Sequence, residues 1–500
     1  MIRDVPTFAV VGAVNHGKSA VVAAIAEDDQ VRVSSMPGET VTTQRFGLRD
    51  LLVLFDTPGF QNARKALAAI EALDGTADPL EPFRTFIDRH RDDDAFEAEC
   101  RLLQPIVDGA GIIYVVDGSR PLRDIHRCEM EVLRRTGAPR LAIINRTADE
   151  DHVEAWRGQL NQHFNIVREF DAHRVTYADR KDLVESLAII ERGWKDRLGQ
   201  AVVAMETEWT QRVAEAAALI AALLFACLAH VEKGRLDGAD ATGRDAQVEV
   251  LRRRYMQTIA SLEHDTHRKL IALYAHHRVQ PDALPAEVFR DDLFGEETWQ
   301  LFGLGVRQLI GVSAVAGGLA GAGIDAATLG HSLGIGTALG AAAGAGGAYA
   351  LGRKRPEISV AWPTDAMPRW MALLSPKNAL RFAGGDLIVG PYKAENFPWI
   401  LLDRALCVFA FVYTRSHARR DEAVLDIAGL RSLLKDLKLA VAAWTDADRQ
   451  ACQRVFRAAS SGRQPSIEQV TMLSRTIETS LDRVTAKEAE IGNALGSTPA

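Results

Sequence analysis

The amino-acid sequence predicts an α/β domain with a doubly wound, mostly parallel sheet, followed by a mainly α-helical region with a Gly/Ala-rich segment. Short apolar runs alternate with longer helical patterns as far as about residue 195, which is the order of βαβ units. Beyond that point the pattern is that of long helices, and residues 303–352 are rich in glycine and alanine. The chain has 500 residues, and a single hydrophobic core usually organises fewer than that. We therefore expect several domains.

Four apolar runs in the first part of the chain are predicted as buried strands. Each is short and is followed by a polar or glycine-rich turn, as expected of strands covered on both faces. They are Phe8–Val11, Leu51–Phe55, Ile112–Val116 and Leu141–Ile144, and a fifth strand is expected near Ile166–Phe170. The charged stretch between Gly59 and Gly109 is interpreted as a helical insertion, because structureless loops of that length are uncommon in a compact domain.

The segment between the first strand and the first predicted helix fits the pattern G-x-x-x-x-G-K-[ST]. Its glycines allow the backbone N–H groups and the helix N-terminus to surround phosphate groups. Lys18 is expected to neutralise charge on the β- and γ-phosphates, and Ser19 to ligate Mg²⁺. No role beyond lining the loop is predicted for His16. The predicted nucleotide-binding residues of this segment are Gly12, Asn15, His16, Gly17, Lys18, Ser19 and Ala20.

A second motif, Asp56-Thr57-Pro58-Gly59, follows the second predicted strand, so it lies at the ligand-binding edge of the sheet. Asp56 is expected to hold Mg²⁺, through water. Gly59 is expected to offer its backbone N–H to the γ-phosphate and so to sense its presence. The next residue, Phe60, occupies the place where many small GTPases have a glutamine that orients water.

A threonine between these two motifs is predicted to complete the Mg²⁺ shell when the γ-phosphate is present. Thr40 is preferred because it closes the run Pro37-Gly38-Glu39-Thr40, although Thr42 and Thr43 remain alternatives. The predicted metal ligands are therefore Ser19, Thr40 and Asp56, and the predicted catalytic residues are Lys18, Thr40 and Gly59.

The motifs GAVNHGKS, PGET and DTPG, in this order and spacing, resemble those of the Era-like branch of the translation-factor-class GTPases. The resemblance covers about residues 5–190. With its later glycine-rich segment and FPWILLDRAL, the chain also looks like a bacterial group in which such a GTPase precedes a domain of unknown function. The resemblance implies binding of GTP and GDP with Mg²⁺.

The guanine-recognition motif of that family, Asn-Lys-x-Asp, is altered in this sequence. Asn145 and Arg146 are in place, but the acid, Asp149, comes one residue late. If Asp149 reaches the base, guanine specificity is retained; otherwise discrimination against adenine falls and an ATP-selective protein remains an alternative. The fifth motif is assigned to Asp171 and Ala172 of Asp171-Ala172-His173, with Tyr177-Ala178-Asp179 as a competitor.

Four regions are predicted: a nucleotide-binding domain at 1–195, a helical region at 196–302, a Gly/Ala-rich hairpin at 303–355, and a helical region at 356–500. Repeated G-x-x-x-G spacing in 303–352, closed by Arg353-Lys354-Arg355, slightly favours membrane contact over a soluble hairpin. The later apolar run 399–413 is interpreted as a core or interfacial helix because it contains Asp403 and Arg404. His264 and His267 are interpreted as part of a solvated helix face rather than a metal site.

The remaining composition limits the location and partners of the protein. Five scattered cysteines and an N-terminus unlike a signal peptide predict a cytoplasmic protein, with the inner membrane as a candidate site of association. A net charge of −7 and the lack of a basic, aromatic-rich element give no support for nucleic-acid binding.

These features together predict a slow, Mg²⁺-dependent GTPase that acts as a switch for its helical domain and for an unknown protein partner. The alternative of a nucleotide-binding regulatory or scaffold module with negligible hydrolysis stays open because of Phe60.

Overall fold

The computed structural model describes two compact units, the first formed mainly by residues up to 211 and the second by most residues from 212 onward. The described residues are 5–26, 43–48, 51–73, 77–146, 152–172, 175–235, 241–274, 293–294, 298, 301–305, 307–309, 312, 360–361, 386–392, 394–414, 434–463, 465–488 and 490–491.

A six-stranded sheet in the order β2-β3-β1-β4-β5-β6 forms the centre of the first unit. All neighbouring strands are parallel except β2 and β3, which are antiparallel. The strands are β1 (Thr7–Val11), β2 (Gln44–Leu48), β3 (Leu52–Asp56), β4 (Gly111–Asp117), β5 (Arg140–Asn145) and β6 (Ile166–Phe170). The five predicted strands are present. The sequence did not predict β2, because this edge strand is only partly covered and its residues QRFGL lack a continuous apolar run.

Helices cover both faces of this sheet. Successive side chains of a strand point to opposite faces, and in β1 both sets are mainly apolar and must be buried. Ala9 and Val11 pack in one hydrophobic cluster, whereas Phe8 and Val10 pack in the other. The charged insertion is helical, as predicted, with three helices in its described residues. The helices that begin in this unit are α1 (Lys18–Ala26), α2 (Ala63–Glu71), α3 (Glu81–His90), α4 (Glu97–Val107), α5 (Asp124–Arg135), α6 (Val153–Leu160), α7 (Tyr177–Ile190) and α8 (Lys195–Ala229).

Long helices dominate the described part of the second unit, as predicted. After α8 these are α9 (Ala241–Leu273), α10 (Phe397–Thr414), α11 (Asp446–Ser460) and α12 (Ile467–Ala486). A small antiparallel sheet, β7 (Glu232–Arg235), β8 (Val360–Ala361) and β9 (Asp386–Val389), has the order β7-β9-β8. The sequence did not indicate this sheet, since its strands are two to four residues long and the partners of β7 in β9 lie more than 150 positions away.

Helix α10 lies in the core of the second unit. Every residue from Phe397 to Tyr413 is buried, including Asp403 and Arg404. The Asp403 carboxylate accepts hydrogen bonds from the backbone N–H groups of Gly303 and Val441, at 3.1 and 3.4 Å. Because its charged side chains have partners inside the protein, this apolar helix can be a core helix.

A buried ion pair joins α9 to α10. The Arg404 guanidinium contacts the Glu263 carboxylate with two nitrogens, at 2.6 and 3.2 Å. His267 lies one turn from Glu263 and is only 1% exposed, and burial lowers its pKa to about 4. The prediction of a solvated face was therefore wrong for His267, because the tertiary fold places this side of α9 against α10. No group of three or more His, Cys, Asp or Glu residues that could hold a metal occurs in the described ranges.

Two of the described helices are long and apolar enough to cross a membrane, Arg192–Ala229 and Phe397–Thr414, but half of the first apolar window and 94% of the second are buried inside the protein. Core helices meet the same criteria, so this is weak support for a membrane span. The predicted membrane hairpin at 303–352 lies outside the described residues apart from 303–305, 307–309 and 312.

Candidate functional site

The loop from Gly12 to Gly17 joins β1 to α1 and contains three residues with positive φ. These are Gly12 at +147°, Asn15 at +63° and Gly17 at +85°. A Cβ atom on Gly12 would collide with the carbonyl oxygen of Val115, and one on Gly17 with the Asn145 side-chain amide. Both glycines are thus required by backbone conformation and by close packing. The result is a tight loop whose helix begins at Lys18, as phosphate binding requires.

Lys18, Ser19 and Asp56 meet at the carboxyl end of β1 and β3. Lys18 is buried, with its Nζ donating to the Ala13 carbonyl at 2.9 Å. Ser19 Oγ donates to Asp56 Oδ2 at 2.6 Å. Burial lowers the pKa of Lys18, although the carboxylates of Asp56 and Glu129 oppose that shift. Burial also raises the pKa of Asp56, against the effects of Ser19 and Lys18.

The Asp56 carboxylate fits the Mg²⁺ ion that this fold family implies. Its Oδ1 atom is buried and has no hydrogen-bond partner among the described residues, while Oδ2 lies beside the Ser19 hydroxyl. Carboxylate and hydroxyl oxygens are the ligands that Mg²⁺ prefers, and it usually takes only one or two from the protein. Ser19 and Asp56 would therefore hold the ion. The third predicted ligand, Thr40, lies outside the described residues.

Gly59 lies directly against the loop. A Cβ atom at Gly59 would approach the Val14 nitrogen to 2.7 Å, and the backbone N–H of Phe60 donates to the Gly12 carbonyl at 3.3 Å. The Phe60 side chain is 6% exposed and packs in the hydrophobic cluster on the α2–α4 face of the sheet. It consequently points into the core rather than towards the phosphate loop.

Two buried glutamates, which the sequence did not indicate, interact with the segment after Phe60 and with Lys18. Glu99 Oε1 accepts hydrogen bonds from the backbone N–H groups of Gln61 and Asn62, at 2.8 and 2.5 Å. Glu129 accepts a hydrogen bond from the Tyr114 hydroxyl at 2.8 Å, and burial raises its pKa to about 7. Each lies in a charged stretch that looks like an exposed helix face, so only the tertiary fold identifies them as buried.

The His16 side chain points away from the phosphate side of the loop. It is 3% exposed and lies in a ring cluster with His126 and Trp156, at centroid distances of 5.2 and 6.2 Å. Burial lowers the pKa of His16 to about 3, so the ring is neutral, and its Nδ1 accepts the Asp117 backbone N–H at 3.3 Å. Only the backbone of His16 is therefore available to a nucleotide. The Ala20 side chain likewise packs in the core.

Asn145 joins the fourth and fifth motifs to the phosphate loop. Its Oδ1 accepts the Ala172 backbone N–H at 3.2 Å, and its Nδ2 donates to the His16 carbonyl at 3.5 Å. Arg146 is half exposed and lies 3.8 Å from the Glu169 carboxylate. Asp149 lies outside the described residues.

The two candidate fifth motifs lie in different places in the fold. Asp171 and Ala172 follow β6 directly, at the sheet edge where Asn145 ends β5. Tyr177 and Asp179 instead lie in the first turn of α7, where Asp179 forms a capping box with Thr176. His173 lies outside the described residues.

Comparison with protein families agrees with this architecture. The first unit has the fold and the loop of a P-loop GTPase domain, and residues 7–146 match the family described as 50S ribosome-binding GTPase. Residues 157–480 match a family described as a domain of unknown function, DUF3482. The latter covers more than half of the chain, so the protein belongs to the DUF3482 family. No curated protein matches the chain. The GTPase match supports guanine-nucleotide binding.

Proposed function

We propose that the protein is a slow GTPase of the Era-like type, in which the nucleotide state of the first unit switches the helical domain. The observation that carries this proposal is the Ser19–Asp56 pair beside a tight glycine loop, in which the buried Asp56 Oδ1 oxygen has no hydrogen-bond partner within the described ranges. A buried carboxylate oxygen without a partner is costly to the folded protein, which is accounted for if a cation and its water occupy this position.

The residues of the loop would divide the work of nucleotide binding. Backbone N–H groups between Gly12 and Ser19 would surround the phosphates, and Lys18 would place its positive charge at the β- and γ-phosphates. Bound Mg²⁺ supplies further charge neutralisation. Gly59, held against the loop, would offer its N–H to the γ-phosphate and be released when that group leaves. Thr40 would add the second hydroxyl ligand.

Base recognition would depend on the segment after β5. The Asn145 side chain is hydrogen-bonded to the backbone of both His16 and Ala172. It would therefore fix the position of the base site relative to the phosphate loop. Arg146 would pack its aliphatic part along the base, and Asp149 would accept hydrogen bonds from guanine. If Asp149 does not reach, GTP and ATP would bind with similar affinity, because the polar discrimination would be missing.

A second candidate, a nucleotide-binding regulatory module with negligible turnover, is favoured by the position of Phe60. Since its side chain packs in the core, it cannot orient the attacking water, and another group or a protein partner would have to do so. In this reading the bound nucleotide would control contacts of the helical domain, or of the candidate membrane segment 303–352, without being consumed.

The test is to measure GTP binding and turnover with the intact chain, with and without Mg²⁺. Lys18→Ala and Asp56→Ala are expected to lower turnover by at least about 100-fold. Asp124→Ala is the matched control, because this carboxylate is 82% exposed in the same unit, and it should leave turnover unchanged. ATP in place of GTP reports base selectivity.

Each outcome separates the candidates. Tight GTP binding with no turnover above Lys18→Ala would support the regulatory module. Turnover that survives Lys18→Ala, or that does not respond to removal of Mg²⁺, would contradict the proposed GTPase site.

A further inference from the structure

Helix α4 of the insertion provides a carboxylate to the segment that follows Gly59. Glu99 is fully buried in the first turn of α4, and its Oε1 accepts the backbone N–H groups of both Gln61 and Asn62. Those two residues lie between Gly59 and the start of α2. The Glu99 carboxylate therefore occupies the position of a capping group for α2, although it belongs to a different helix.

A second contact ties the same segment to α4. The Asn62 side chain makes no capping bond to its own helix; instead its Nδ2 donates to the Ala95 carbonyl at 2.8 Å, just before α4 begins. On the opposite side, Phe60 is bonded through its backbone to Gly12 of the phosphate loop. Residues 59–62 are thus held between the phosphate loop and the start of α4.

Loss of these contacts would leave an unfavourable buried charge. The Glu99 Oε2 atom already has no hydrogen-bond partner among the described residues, so the N–H groups of Gln61 and Asn62 carry the stabilisation of the carboxylate. The negative charge of Glu99 also helps to raise the pKa of Glu129, although burial is the main cause of that shift. If residues 61 and 62 moved away, a buried carboxylate would lose both donors, which is strongly disfavoured.

We propose that Glu99 is a positioning residue that holds Gly59 against the phosphate loop, and that α4 is thereby the element through which the insertion favours the triphosphate-bound state. This inference rests on the proposed GTPase site. A partner that displaces α4 would release Gly59 without touching the nucleotide, and binding of triphosphate would in turn stabilise α4, because such coupling is reciprocal.

The experiment compares the affinities of the intact chain for GDP and for a non-hydrolysable GTP analogue. Glu99→Ala is expected to weaken analogue binding by on the order of tenfold, the effect of losing hydrogen bonds to a charged group, while GDP affinity changes less than about twofold. kcat for GTP should fall as well, because fewer molecules hold Gly59 in place. A role in folding alone would lower both affinities together.

The matched control is Glu97→Ala, in the same turn of α4. Glu97 is exposed and pairs only with Arg101 one turn later among the described residues, so both affinities should stay at the wild-type values. If Glu99→Ala fails to fold, Glu99→Gln preserves the shape and one acceptor without the charge, and a smaller loss of analogue affinity is expected from it.

Equal GDP-to-analogue affinity ratios in the wild type and in a folded Glu99 variant would overturn the role of Glu99 while leaving the GTPase proposal intact. By contrast, absence of nucleotide binding in the wild type would refute the proposed site itself.

Discussion

Buried charges occur in both units of this protein, but their surroundings differ. In the second unit Glu263 and Arg404 neutralise each other, and Asp403 accepts backbone N–H groups with both oxygens. In the first unit Asp56 has one oxygen bonded to Ser19, and the other has no partner in the described part of the chain. The buried charges of the second unit have partners inside the protein and support the fold, whereas Asp56 lies beside the glycine loop at the position where we propose that a cation binds.

Removing one member of the buried pair should give the largest effect on stability. Arg404→Ala leaves Glu263 charged and buried, so we expect the free energy of unfolding of the second unit to fall by about 3–5 kcal/mol, measured by denaturant titration. Arg268→Ala is the control, because its pair with Asp265 is half exposed, and it should cost less than about 1 kcal/mol. GTP affinity should not change in either. If Arg404→Ala lowered the free energy of unfolding as little as the control does, the buried ion pair would not contribute substantially to stability.

The buried glutamate near Lys18 should make stability depend on pH. Burial raises the Glu129 pKa from 4.5 to about 7, so its neutral form favours the fold fully below 4.5, and this contribution is lost as pH rises through 7. Glu129→Gln, which keeps an acceptor for Tyr114, should therefore match the wild type near pH 4 and be more stable by about 2–3 kcal/mol at pH 8.

Glu131, two residues further along α5, should show the opposite sign. The Arg134 guanidinium lowers the pKa of this carboxylate through a hydrogen bond, so its contribution is present above its unfolded pKa and is lost as pH falls. Glu131→Gln should reduce stability at neutral pH, with no difference from the wild type in acid. Parallel curves for the Glu129 and Glu131 variants, measured by unfolding across pH, would contradict both assignments.

A methyl group in the phosphate loop should affect stability and binding together. Gly17→Ala places a Cβ against the Asn145 amide at a φ of +85°, so we expect a loss of about 1–3 kcal/mol in stability. GTP affinity should fall by about 100-fold, as titration calorimetry would show. Gly158→Ala in α6 meets nothing within 4 Å and should be neutral or stabilising by up to about 1 kcal/mol. Unchanged GTP affinity in Gly17→Ala would place the nucleotide elsewhere.

The smallest effects are expected from two equivalent helix caps, one in each unit. Thr176 caps α7 and Ser466 caps α12, each with a reciprocal capping box. Thr176→Ala and Ser466→Ala should each cost about 1 kcal/mol in thermal or chemical unfolding. Only Thr176→Ala should also weaken GTP binding, by a few-fold, because α7 follows Asp171 and Ala172. If Thr176→Ala and Ser466→Ala weakened GTP binding equally, the assignment of nucleotide binding to the first unit alone would be wrong.

The phosphate loop and the strands around it could be predicted from local patterns. Four apolar residues before Gly12, followed by Gly17-Lys18-Ser19 and a helical run, restrict the backbone to few conformations, and Asp56 ends a strand of the same kind. The helical insertion was also predictable, because a structureless loop of that length is uncommon in a compact domain. The run 399–413 was predicted as a core or interfacial helix, because Asp403 and Arg404 interrupt its apolar residues.

The neighbours of these elements were decided by the tertiary structure. His267 and Glu129 lie in charged stretches that resemble solvated faces, and only the packing of the tertiary fold buries them. Glu99 reaches Gln61 across 38 positions, and β7 pairs with β9 across a greater distance, so neither contact leaves a local trace. A sequence pattern shows which face of an element is apolar. Long-range packing decides which polar groups become buried beside that face, and in this protein it brings Glu99 of α4 to the N–H groups of Gln61 and Asn62 before α2.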